Sequence, residues 1–161
     1  MAQKKSGAKV FLKTGAVMAK EVVTIDENVS VKEAADIMNQ EEISCIIATR
    51  RGKAAGIITE RDLLKRIISE GQSAKKTRVK GIMSSPLVAI TSDTDVEAAA
   101  RLMFEKKMKK LAVIDHDRLV GVISLTDIAR AQPSITRVLQ KLAALQEPPK
   151  SIKKALDSYI V

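Results

Sequence analysis

The chain has 161 residues, 45% hydrophobic but only 2% aromatic, enough to bury one sizeable core or two small ones built from Ile, Val, Leu, Ala and Met. One cysteine excludes an internal disulfide, the apolar runs are too short to cross a bilayer, and the N-terminus lacks a signal peptide's apolar stretch. A soluble, cytoplasmic protein with no membrane span is therefore expected. The formal charge of +9 concentrates in residues 1–20, in Lys75, Lys76, Arg78 and Lys80, and in residues 101–110. Such basic stretches suit solvated helix faces, phosphorylated ligands, acidic partners or nucleic acid.

Residues 1–9 read as a basic flexible tail, and 10–17 as the approach to a first unit. A short strand is predicted at 22–25 and a turn at 26–28. Ser30 and Glu33 have capping-box spacing ahead of a helix whose apolar face is Val31, Ala34, Ala35 and Met38. Strands at 45–49 and 54–58 flank the turn Arg50-Arg51-Gly52-Lys53. A helix from Glu60 should carry Leu63, Leu64, Ile67 and Ile68 inward and stop near Gly71. After a basic connector at 72–80 the same order returns. It comprises a strand at 88–90, a helix at 96–106 with Thr94 and Glu97 at capping-box spacing, strands at 111–115 and 120–124 about a turn at 116–118, and a helix from Thr126.

Pro133 marks a boundary. Beyond it Ile135, Val138, Leu139, Leu142 and Leu145 share one face of a predicted helix that Pro148-Pro149 ends, and Ile152, Ala155, Leu156, Tyr159 and Ile160 suggest another. That stripe must cover its own module, a dimer mate or a different protein. The expected organisation is thus a tail at 1–9, a unit at 10–71, a connector at 72–80, a second unit at 81–131 and a helical extension at 132–161.

Two stretches organise all of this: Gly56-Ile57-Ile58-Thr59-Glu60-Arg61-Asp62 and, 65 positions later, Gly121-Val122-Ile123-Ser124-Leu125-Thr126-Asp127. The same offset, without a gap, pairs Met18 with Met83, Val23 with Val88, Ile25 with Ile90, Val31 with Val96, Ala34 with Ala99 and Met38 with Met103. The chain is a tandem repeat. Each stretch is a buried strand entering a helix, with a hydroxyl as N-cap and an acid three residues on to close a capping box. The same atoms also suit a ligand. A helix N-terminus offers N–H groups to phosphate, a hydroxyl can donate to phosphate or ribose, and an ionised carboxylate can accept from both hydroxyls of a ribose.

The pattern glycine, two aliphatics, hydroxyl, two variable residues and aspartate, doubled at the end of β-α-β-β-α units, resembles a pair of cystathionine β-synthase (CBS) domains, or Bateman module, over residues 10–131. The resemblance implies an α/β (α+β) fold of two units about a pseudo-twofold axis, with two clefts that take adenosine-containing molecules. One cleft would combine Val122, Ser124, Thr126 and Asp127 with Met18, Val23, Ile43, Ser44 and Cys45. The other would combine Ile57, Thr59, Arg61 and Asp62 with Met83, Val88, Met108, Lys109 and Lys110. Aliphatic side chains would sandwich the purine, the aspartate would hold the ribose, and hydroxyl and basic residues would face the phosphates. Lys109 and Lys110 stand where the first unit has Ser44 and Cys45. The Asp62 cleft is therefore expected to take AMP, ADP or ATP, and the Asp127 cleft to be empty or to take a less charged compound such as S-adenosylmethionine. Ile47 and Ala112 stand where many members of the family have proline.

The expectation is a stand-alone regulatory module, homodimeric, that reports an adenine nucleotide to a regulated protein. Nucleic-acid binding, favoured by the charge but short of stacking aromatics (Phe11, Phe104 and Tyr159), and a dimerisation scaffold are the alternatives. Neither a catalyst nor a metal site is expected. His116 is the only histidine and lies in a turn, Cys45 has no base beside it in the sequence, and there is no P-loop.

Overall fold

The computed structural model describes residues 12–131; the expected tail at 1–9 and the helices expected at 132–161 lie outside the described residues. The first repeat runs β1 (Thr24–Asp26), α1 (Val31–Gln40), β2 (Cys45–Arg50), β3 (Lys53–Thr59) and α2 (Glu60–Asp62), which continues as a π-helical stretch over Leu63–Ile68. After α3 (Val79–Ile82) the second repeat runs β4 (Ala89–Ile90), α4 (Val96–Glu105), β5 (Lys110–Asp115), β6 (Arg118–Ser124) and α5 (Leu125–Ala131). The fold is mixed α+β, with two three-stranded sheets ordered β1-β2-β3 and β4-β5-β6. In each the first pair is parallel and the second antiparallel, and a bulge falls at equivalent places, Ala48/Thr49 and Val113/Ile114.

Both hairpins turn in two residues with left-handed backbone, Arg51-Gly52 (φ 51° and 76°) and His116-Asp117 (φ 48° and 61°). Such turns match the twist of the strands they join. Ile46, Ala48 and Ile58 of the first sheet pack with Val31, Ala34 and Met38 of α1, and Leu111, Val113 and Ile123 of the second pack with Val96, Ala99 and Met103 of α4. Ile47 and Ala112 are fully buried yet belong to neither cluster. Side chains alternate along a strand, so these two point to the face opposite α1 and α4.

The segments that open each repeat are exchanged. Residues 13–19 bond to the second repeat and 78–84 to the first, through the same bonds at equivalent positions. Thr14 N donates to Thr94 O and Val79 N to Val29 O, while Gly15 N donates to Ser92 O and Lys80 N to Glu27 O. Ala19 and Val122 exchange two N–H···O bonds (2.9 and 3.0 Å), as do Ser84 and Ile57 (2.8 and 3.0 Å), so each segment adds a bridge to the edge of the other repeat's sheet. The cores follow suit. Val79, Ile82 and Met83 belong to the first, and Leu12, Val17 and Met18 pack on the second.

Glycine makes the approach feasible. A Cβ at Gly56 would lie 2.7 Å from Met83 Sδ and 2.9 Å from the Ser84 carbonyl oxygen, and one at Gly121 would strike Met18 Sδ and come within 2.8 Å of the Ala19 carbonyl oxygen. The motif begins with glycine because the other repeat's methionine occupies the place of its side chain.

Four local expectations are corrected. Leu64 and Ile68 point outward, 61% and 70% exposed, while Ile67 is buried and Leu63 packs on the first core. The π-helical stretch widens the turn, so the 3.6-residue period does not hold there. The N-cap of α4 is Asp95, the repeat partner of Ser30, and not Thr94. Thr94 Oγ1 instead accepts from Thr91 N and closes the preceding turn. At α1, Ser30 Oγ accepts from Glu33 N, but no reciprocal bond from Glu33 completes the box. Asp26 belongs to β1 rather than to the turn, and its carboxylate accepts from Asn28 N.

Gly121→Ala is expected to lower stability by about 1–3 kcal/mol through overpacking. Adding Met18→Ala should recover only part of it in thermal melts, because the Ala19 carbonyl remains in the way. Stability should also fall in acid. The Arg50 guanidinium, bonded to Glu27 Oε1 at 2.6 Å, holds that carboxyl below its ordinary 4.5. The bond from Ser92 holds Asp115 low, and the bonds from Asn28 hold Asp26 low. Below the ordinary carboxylate range the unfolded chain takes up protons that the native state resists. The stabilisation is thus complete near neutrality and is lost as pH falls through the native values. The midpoint of melting should drop between about pH 5 and about pH 3, and less steeply in Glu27→Gln.

Candidate functional site

Each motif ends in a tight cluster of hydrogen bonds. Thr59 N and Oγ1 both donate to Asp62 Oδ2 (2.9 and 2.7 Å), and Asp62 N returns a bond to Thr59 Oγ1 at 3.4 Å. In the second repeat Ser124 N and Oγ donate to Asp127 Oδ2 (2.8 and 2.6 Å), and Asp127 N donates to Ser124 Oγ at 3.2 Å. These are capping boxes, and they engage one carboxylate oxygen in each unit. The other oxygen, Oδ1, is left for other partners. Each hydroxyl proton is directed at its aspartate, so in this arrangement the hydroxyl can accept from a ligand but not donate to its phosphate. The helix start is also partly satisfied. Glu60 N donates to Ser44 O at 3.3 Å, and Leu125 N to Lys109 O at 3.1 Å.

Residues from both repeats meet along the motif strands. Met18, half-buried, lies on β6 beside Val122, and Met83, buried, lies on β3 beside Ile57. Val23 and Ile43 pack on the first core, Val88 and Met108 on the second. Ser44 and Cys45 are half-buried at the start of β2, with Cys45 paired to Thr59 in register. Burial pushes the Cys45 thiol up. The Lys110 charge opposes this, and those of Asp127 and Glu60 add to it. A thiol so placed stays protonated at neutral pH. Lys110, expected with Asp62, thus acts on the same ground as Asp127. No hydrogen bond or ion pair joins Asp62 to Lys109 or Lys110 among the described residues. Arg61, Thr126 and Lys109 are exposed.

Two participants were not singled out from the sequence. Glu60 is one, through its charge on Cys45. The other is Arg66, whose Nη1 donates to the carbonyls of Ile82 and Met83 (3.2 Å for Met83) and lies 3.8 Å from Asp62 Oδ1. The signal for Arg66 was its repeat partner: 65 positions on stands alanine. Among the described residues no group of three His, Cys, Asp or Glu could hold a metal, and no helix is long and apolar enough to cross a membrane.

Comparison with known proteins bears on the family and the fold. The model of the CBS domain matches residues 15–69 and 79–134. MK0525 of Methanopyrus kandleri is 29% identical over 79% of this chain and 66% of its own length, so the chain spans just under two thirds of that relative. The CBS domain-containing protein YhcV of Bacillus subtilis is 32% identical over 73% of this chain and 83% of its own. Among solved structures, the CBS domain pair of protein MJ0100, in complex with 5′-methylthioadenosine and S-adenosyl-L-methionine, is similar with a TM-score of 0.68 and 26% identity over 75% of this chain and 95% of that one.

Because the motif acids cap helices, Asp62→Ala and Asp127→Ala should each lower stability by about 0.5–2 kcal/mol with no ligand present. Asp→Asn keeps an acceptor for the N-cap N–H and hydroxyl, so its melting midpoint should stay closer to the wild type. Thermal melts of the four variants check this, and the asparagine pair is then the cleaner probe of ligand binding.

Proposed function

Because the chain belongs to the CBS-domain family, we propose that it is a regulatory module rather than a catalyst. It takes adenosine-containing ligands in two crevices between its repeats and reports their occupancy to a partner by conformational change. The reciprocal exchange of opening segments carries this reading. Met18 sits on the strand that leads to Asp127, and Met83 on the strand that leads to Asp62. A ligand seated at either acid would therefore touch both repeats. The adenosyl ligands in the similar MJ0100 structure support the same chemistry.

In this proposal the purine lies among Met18, Val23, Ile43 and Val122 in one crevice, and among Met83, Val88, Met108 and Ile57 in the other. The Oδ1 of each aspartate, the oxygen its capping box leaves over, receives the ribose hydroxyls, at Asp62 in competition with Arg66. Phosphates of AMP, ADP or ATP are assigned to the Asp62 crevice, toward Arg61 and Lys109, and a less charged compound such as S-adenosylmethionine to the Asp127 crevice. Lys110, acting on Cys45, is shared between them. Signalling requires that ligand bind two arrangements of the module unequally, and bridging both repeats provides the means. A homodimer is part of the proposal, and the exposed Leu64 and Ile68 are apolar side chains it would cover.

A thermal-shift screen with AMP, ADP, ATP and S-adenosylmethionine tests the reading. A ligand at 100 times its dissociation constant should add about 2.7 kcal/mol of stability. The shift should shrink in Asp62→Asn or Asp127→Asn. No shift with any of the four, alongside salt-sensitive binding of a polynucleotide, would transfer the function to the basic surface instead.

A further inference from the structure

Position 66 is where the two repeats part company. Arg66 is largely covered, with 36% of its side chain exposed, and Asp62 is more so, at 14%. Its Nη1 joins three groups: the carbonyl oxygens of Ile82 and Met83 in the opening segment of the second repeat, and Oδ1 of Asp62 in the motif of the first. That carboxylate oxygen is the one its capping box leaves over. In the second repeat the equivalent residue is Ala131, exposed at the end of α5. Among the described residues nothing donates to the carbonyls of Val17 and Met18, which correspond to those of Ile82 and Met83, and Asp127 Oδ1 has no partner.

We propose that Arg66 is a positioning and specificity-determining residue that makes the two crevices unequal. It clamps the Met83 wall of the Asp62 crevice and engages the oxygen that a sugar diol would use. The Asp127 crevice, unclamped, takes the diol of an uncharged adenosyl ligand directly. This rests on the reading that the crevices bind adenosine compounds. An arginine one turn beyond the acid draws the Oδ1 lone pairs toward itself, and a diol must share or displace it. The contact is long and partly solvated, so the handicap is a few-fold rather than a block. Phosphate attraction can still bring a nucleotide to the Asp62 crevice. The order of filling should therefore depend on ligand charge, with adenosine entering at Asp127 first.

The test is a titration of the full chain with adenosine, which has no phosphate to confuse the effect of removing a cation. It is read by the ε-methyl NMR signals of 13C-labelled Met18 and Met83, one for each crevice. In the wild type the Met18 signal should titrate at lower adenosine concentration than the Met83 signal. Arg66→Ala should strengthen binding at Met83 about two- to fivefold, and Ala131→Arg should weaken it at Met18 by a similar factor. Arg66→Ala also frees the Met83 carbonyl, so the reciprocal Ala131→Arg, at an exposed helix end, is the variant least able to disturb the fold. Without ligand, Arg66→Ala should move the Met83 methyl and leave Met18 in place, and Ala131→Arg the reverse. If adenosine fails to bind the wild type, the adenosine reading falls while the ligand-free spectra still decide the clamp. Methyl signals unmoved in both variants, or weaker adenosine binding at Met83 in Arg66→Ala, would overturn the clamp whatever the module binds.

Discussion

The structure depends on two backbone-to-backbone approaches that tolerate no side chain between them: Ala19 against Val122 beside Gly121, and Ser84 against Ile57 beside Gly56. Each brings one repeat's opening segment onto the other's motif strand. Two hydrogen bonds fix each segment in register, and a methionine fills the place a Cβ would take. Neither core is complete without this exchange, since Val79, Ile82 and Met83 are drawn into the first and Leu12, Val17 and Met18 into the second. Two half-domains of this size would each expose much apolar surface alone. Exchange ties them together and sets each motif strand against the opening segment of the opposite repeat.

The capping and ligand-binding readings of the motif are not rivals, because they use different atoms. Thr59 or Ser124 takes up one carboxylate oxygen and fixes the rotamer of the aspartate. The second oxygen is thereby held in a set direction, which is the pre-organisation that a binding group needs. The helix N-terminus itself contributes less than its reputation suggests. Its amides at Glu60 and Leu125 already donate to the carbonyls of Ser44 and Lys109, just ahead of β2 and β5, and those at Asp62 and Asp127 to the capping hydroxyl.

Much of this was legible from residue order. The offset of 65 gave both sheets, both hairpins and the motif pair, because strand alternation and turn chemistry are local properties. The exchange was not legible from residue order alone, since adjacency assigns residues 13–19 to the first repeat, whereas their bonds are with the second; the resemblance to a CBS pair implied it by setting Met18 with Asp127 and Met83 with Asp62. Where a local rule and the repeat disagreed, the repeat was the better guide. Thr94 and Glu97 have the spacing of a capping box, but the offset from Ser30 leads to Asp95, which is the N-cap. Leu64 and Ile68 failed for a different reason. Their burial was inferred from a 3.6-residue period, and the backbone there winds more loosely.

Symmetry in this chain holds for the exchanged backbone bonds, the motif capping boxes and the methionine–glycine contacts, and fails at several polar side chains around them. Glu27 and Arg50 form an ion pair, whereas their counterparts Ser92 and Asp115 meet through a backbone N–H donated to a carboxylate. Lys109 and Lys110 take the positions of Ser44 and Cys45 in the repeat, and Ala131 that of Arg66. A scaffold held by main-chain bonds and glycine contacts leaves such positions free to diverge without loss of the fold. Two crevices of common origin can then acquire different ligand chemistry. Were each proposed crevice walled by both repeats, a change of occupancy in one would act on the elements that shape the other, which is the physical requirement for coupling between sites.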